Sequence, residues 1–116
     1  MTNLYSQFLE YGGRGHVTWE FKPGKCSLPC NEGDDVKIIV IGKYNDSDIS
    51  ADIVKIILPN KEELTHQKDG QKLLHITRET RNGVKAVQSG IRATKYGYEK
   101  IIPYEIRAKA SYFTGR

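Results

Sequence analysis

A chain of 116 residues, 38% hydrophobic and 28% charged, has material for one folded domain and too little for two. Its apolar runs, such as IIVI, fall far short of the ~20 residues that a membrane-crossing helix needs, which excludes insertion of that kind. The net charge of +4 is unevenly placed: residues 1–60 carry 6 Lys/Arg and 8 Asp/Glu, and residues 61–116 carry 12 and 6.

The chain opens on MTNLYSQFLEYGG, which lacks the basic start and apolar middle of a signal peptide, so the default expectation is a cytoplasmic protein. Leu4, Phe8 and Tyr11 recur at helical spacing behind Thr2 and Asn3 as caps. Residues 1–15 therefore read as a short helical or irregular segment that GGRG ends. That glycine run matches neither GxxxxGK[ST] nor a strand–GxGxxG–helix pattern, and it leads into a strand.

From residue 16 onward the period is close to two. In HVTWEF, Val17, Trp19 and Phe21 alternate with polar neighbours up to Pro23. VKIIVIGKY (36–44) is apolar on both faces, as a central strand is, and ADIVKIILP follows it. Asp69-Gly70 predicts a hairpin in which His66 faces Leu73 and His75 faces Leu64. Asn82-Gly83 is the preferred pair for a type I′ turn, since both positions need φ > 0. It predicts a second hairpin with Leu74 opposite Ile91 and Ile76 opposite Ser89. In the last segment Tyr104, Ile106, Ala108, Ala110 and Tyr112 share one face, with Glu105, Arg107 and Lys109 on the other. The expectation is about seven strands, near 16–22, 36–44, 51–58, 61–66, 72–80, 83–95 and 100–112, in one domain spanning 16–116.

The stretch NEGDDVKIIVIGKYNDSDISADIVKIILPN resembles immunoglobulin-like modules, in which a Gly-Asp turn enters an apolar strand, a polar bend follows, and a second strand ends in Leu-Pro. The resemblance covers about 30 residues and implies an antiparallel β-sandwich. It carries no functional residue, and the hallmark pairing of distant cysteines around a tryptophan is missing, because Cys26 and Cys30 are four apart and follow Trp19.

The densest group of potential ligands is YNDSDISAD. Counted from Asp46 as a calcium loop, the sixth position is Ala51 and the twelfth Ile57, where glycine and glutamate are needed. The expected role is a bend, made by Asn, Asp and Ser bonding to their own backbone. The alternative is a calcium site of Asp46 and Asp48 joined by Asp34 or Asp35. CSLPC is half a zinc site at most and lacks the CxxC spacing of redox motifs. No serine or cysteine has a base and an orienting carboxylate placed beside it, so neither catalysis nor a cofactor is expected.

The basic stretch RETRNGVKAVQSGIRATKYGYEK holds six Lys/Arg against two Glu, with two tyrosines near its end. Arginine with tyrosine is the usual chemistry of protein contact surfaces. The expected partner-binding face is Arg78, Arg81, Lys85, Arg92, Lys95, Tyr96 and Tyr98, in a non-catalytic protein-interaction or assembly module that can also form a homodimer. A lectin-like module, calcium-dependent if the aspartates bind the ion, and a nucleic-acid binder using the same basic face are the alternatives.

Overall fold

The computed structural model describes residues 3–13, 15–23 and 27–115, with side chains at 6–13, 15–21 and 27–112. Seven strands and one helix follow in order: β1 (Asn3–Glu10), β2 (His16–Pro23), β3 (Asp35–Asn45), β4 (Ile49–Ile57), β5 (Glu63–Leu64), β6 (His75–Thr80), α1 (Val87–Tyr96) and β7 (Glu99–Gly115). All pairings are antiparallel, and the sheet runs β2-β1-β7-β3-β4-β5. β6 lies on the same edge of β4 as β5, further toward its N-terminal end. Two stacked sheets are the expectation from the sequence. The strands instead form one sheet that curls into a half-barrel.

The curl encloses the main core. Phe8, Val17, Val36, Ile38, Val40, Val54, Ile56, Ile76, Ala108 and Ala110 come from six strands, Leu74 comes from the residue before β6, and all are buried. β4 shows why a second layer is needed. Val54 and Ile56 face this core, while Ile49, Ala51 and Ile53 project from the opposite face, and all five are buried. Helix α1 covers that opposite face, with Ala93 against the three β4 residues. Polar bonds fix it there: Thr77 Oγ1 donates to Ser89 Oγ (2.9 Å), and Leu73 N–H donates to Thr94 Oγ1 (3.0 Å).

Three expectations are corrected. Residues 3–10 are not helical; they form β1, paired to β2 on one edge and β7 on the other. Ser6 and Phe8 alternate into the core there, and two flanking strands outweigh a helical spacing that rests on three residues. The strand expected at 83–95 does not exist, and neither does its hairpin. Asn82 (φ 58°) and Gly83 (φ 73°) do adopt the left-handed turn, and Val84 N–H bonds back to Arg81 C=O (3.2 Å). The chain then enters α1 instead of returning along β6, because the apolar outer face of β4 has to be covered. The strand expected at 61–66 shrinks to the two residues of β5.

The turn at Asp69-Gly70 keeps its expected register only as far as Leu74; His75 does not face Leu64, because both residues pair with β4 instead, His75 with Ile53 and Leu64 with Ile56. His66 pairs with Leu73, with Gln67 N–H to Lys72 C=O (2.8 Å) and Leu74 N–H to Thr65 C=O (3.0 Å) on either side. Two irregularities shape the surface. Ser6 pairs with Glu20 and Gln7 with Thr18, so Trp19 is bulged out of the β1–β2 ladder. On β7, residues 101–103 stand against Ile41 alone, which leaves Ile102 90% exposed. Opposite that bulge only glycine fits at 42, since a Cβ would lie 2.2 Å from the Tyr98 ring and 2.7 Å from the Glu99 carbonyl.

Candidate functional site

A cleft of about 720 Å3 lies where β2 meets the 67–72 turn, β6 and the start of α1. β2 supplies His16, Thr18 and Trp19, the turn supplies Gln67, Asp69 and Lys72, β6 supplies His75 and Thr77, and Ala86 and Val87 lead in the helix. The site exists because the half-barrel is open between β2 and β6. The 65–74 hairpin reaches across the opening, with Lys68 N–H donating to Trp19 C=O (3.0 Å). Its ammonium also donates to Ser27 Oγ (2.7 Å) and pairs with Glu20 (3.4 Å). The Trp19 bulge lets the indole pack edge-on to Phe8 (centroids 6.5 Å apart) while it also lines the cleft.

Two histidines line the cleft, His16 exposed and His75 half-buried. Desolvation by the atoms around it lowers the pKa of His16 below its ordinary value. Burial does the same to His75, against the opposing effect of its bond to Leu73 C=O, and the nearby Lys72 and His16 add to the lowering. A smaller hollow of about 360 Å3 lies by Tyr11, Lys37, Pro59 and Arg107. Its polar groups partner one another: Tyr11 O–H donates to Asp35 (2.5 Å), and Arg107 sits over the Tyr11 ring (5.9 Å).

The seven residues of the expected contact face divide into four groups. Arg78 turns toward the barrel end, where its Nε donates to Asp52 (2.9 Å) and its Nη1 to Glu10 (3.4 Å). Arg81 and Arg92 meet at the bend between β3 and β4. Arg81 donates to the carbonyls of Asp46 (2.8 Å) and Ser47 (3.0 Å), while Arg92 bridges the carboxylates of Asp46 and Asp48, each at 3.0 Å. Tyr98 is half-buried in the second core cluster. Lys85, Lys95 and Tyr96 remain exposed on and around α1, with Lys95 over the Tyr96 ring (5.3 Å).

The aspartate bend is thus crosslinked from within. Asp46 Oδ1 accepts the N–H groups of Asp48 (2.7 Å) and Ile49 (2.8 Å), and its Oδ2 accepts Tyr44 O–H (2.6 Å). The bond from Tyr44 and those from Asp48 N–H and Arg92 hold the Asp46 carboxyl well below the usual range. Asn82 and Arg92 do the same for Asp48. Burial and the Asp46 bond push the Tyr44 phenol up to about 12. The cation between the two carboxylates is a guanidinium of the chain itself. Asp34 and Asp35 lie at the opposite end of β3 and bond to Asn31 N–H and Tyr11, so they do not join this group. No cluster of three or more metal-ligating side chains occurs among the described residues. Cys26 lies outside the described residues; Cys30 is half-buried, and burial raises its thiol pKa. No described helix is long and apolar enough to cross a membrane.

Sequence reasoning missed the cleft. Its residues come from four separated stretches, and its only local sign is the small-residue pattern Ser89, Gly90, Ala93, which marks a helix that packs closely. Comparison of the chain with known protein families, characterised proteins and solved structures finds no match.

Proposed function

We propose that the chain is a non-catalytic interaction module that takes an extended segment of a partner protein along the outer edge of β2, with side chains entering the cleft against α1. The observation that carries this reading is the reversed amphipathicity of α1. Ser89, Gly90 and Ala93 face the sheet, while Val87 (51% exposed) and Ile91 (39%) stand one turn apart on the outside, in line with Lys95. Val87 opens directly on the cleft. Bulky apolar side chains gathered beside an open edge strand are the setting for strand addition. Main-chain bonds to the edge provide affinity there, and alternate side chains fill pockets for specificity. β2 is the terminal strand of the sheet, and the cleft volume lies within the ~300–1,000 Å3 of ordinary binding sites.

Panning a random library of peptides about twelve residues long on the immobilised chain tests the reading. Binders should be lost on Val87→Asp and should slow amide exchange at His16–Thr18. Binders that tolerate Val87→Asp and leave β2 exchange unchanged would place the contact surface elsewhere.

A further inference from the structure

The cleft brings three basic groups together, since His16, Lys72 and His75 all line it. His75 bonds through Nδ1 to Leu73 C=O (2.8 Å); because a carbonyl only accepts, Nδ1 carries the proton and Nε2 is left for a ligand. Lys72 runs beside this ring. Both abut Gly90 of α1, where an added Cβ would lie 2.6 Å from His75 Cε1 and 3.4 Å from Lys72 Cδ. His16 approaches from β2, close enough to act electrostatically on His75. The two carboxylates that line the cleft have partners of their own: Glu20 accepts Ser27 N–H (3.0 Å) and pairs with Lys68, and Asp69 accepts Gln71 N–H (2.9 Å). Lys72 has no ion pair among the described residues. The other basic residues that flank this region, Arg78, Arg81 and Arg92, are all neutralised by acidic groups of the chain.

With both imidazoles held neutral, Lys72 is the one cation of this group, and an anion placed among the three would pair with it and favour the charged imidazole forms. We infer that a carboxylate of the bound segment completes this group, seated between His16, Lys72 and His75, so that the module selects acidic peptides. This rests on the peptide reading above. The carboxylate comes either from an Asp or Glu side chain or from a free C-terminus, and the chemistry at the site is the same. Its arrival favours the imidazolium forms of the two histidines, so binding takes up protons and tightens as pH falls below the ordinary histidine value of about 6.5.

The test uses the full chain and the same random library, synthesised once with free and once with amidated C-termini. Affinities are read from the fluorescence of Trp19, the sole tryptophan, which lines the cleft. Binders that depend on Val87 should be enriched in Asp or Glu at one position, or confined to the free-carboxyl set; the first result assigns a side-chain source and the second a C-terminal one. Changing that carboxylate to an amide should weaken binding roughly tenfold, Lys72→Met should do the same, and the two together should cost little more than either alone. Binding should also be weaker at pH 8 than at pH 5.5. Val87-dependent binders without acidic enrichment, unaffected by Lys72→Met, would overturn the carboxylate inference and leave the peptide reading standing. Failure to recover any Val87-dependent binder would overturn both.

Discussion

Gly90→Ala tests how α1 sits on the sheet, because two effects of known sign oppose each other. Alanine inside a helix is favoured over glycine by about 1 kcal/mol, so an unconstrained helix would gain stability. At Gly90, however, the new methyl would lie 2.6 Å from His75 Cε1 and 3.1 Å from Nδ1. The imidazole cannot swing aside freely, since it is largely buried and tied to Leu73 C=O. Lys72 Cδ, at 3.4 Å, belongs to a flexible stem and can yield. Overpacking by one methyl against a fixed neighbour costs about 2 kcal/mol. The net expectation is a loss of about 1 kcal/mol, or roughly 0.5 M in the urea midpoint at a slope of about 2 kcal/mol/M. In a His75→Ala background the clash is gone, and the same substitution should stabilise by about 1 kcal/mol, a coupling of about 2 kcal/mol across the cycle. Urea unfolding followed by circular dichroism measures all four proteins. If Gly90→Ala stabilises the chain that retains His75, the helix does not rest on that ring and this part of the cleft has been drawn wrongly.

Three further outcomes follow from the electrostatics and the core. The depressed carboxyls of Asp46 and Asp48 stabilise the fold fully above the ordinary carboxylate range near pH 4, and that contribution is lost as pH falls through their lower folded values; Arg92→Met should flatten the acid limb of a stability–pH curve and speed amide exchange in the 45–50 bend. His16 and His75 are held neutral in the fold, so their contribution is present above about pH 6.5 and diminishes on acidification as the unfolded chain takes up protons. Imidazole titrations by NMR should show both midpoints below 6.5, and an ordinary midpoint at His75 would contradict its burial. Asp52→Ala strips the bonds from Arg78 Nε (2.9 Å) and Lys43 Nζ (3.1 Å); since both cations keep access to water, the loss should be about 2 kcal/mol in urea unfolding, and an unchanged midpoint would rule out a structural role for this pair.

The alternating strands were legible in the chain itself. Val36, Ile38 and Val40 enter the core as their period of two requires, and Ala108 and Ala110 do so on β7. Turn residues were equally legible, because the φ > 0 at Asn82, Gly83 and Gly70 is set by local sterics. Period and turn chemistry are properties of neighbours in the chain, so they survive without knowledge of the fold. What lies across from a strand is not such a property. Leu4, Phe8 and Tyr11 fit a helix, Ser6 and Phe8 alternate as in a strand, and only the presence of β2 and β7 on both sides decides for the strand. The isoleucines on both faces of β4 demanded two covers, yet nothing within 83–96 said that the outer cover would be a helix and not a returning strand. The same limit applied to the site. The aspartates of the bend were visible, but Arg92, which bridges their carboxylates, and Arg81, which binds the carbonyls of the bend, are more than 30 positions away. The cleft belongs to the gap left when one curled sheet stops short of closing, and only tertiary structure brings His16, Lys72 and His75 to that gap.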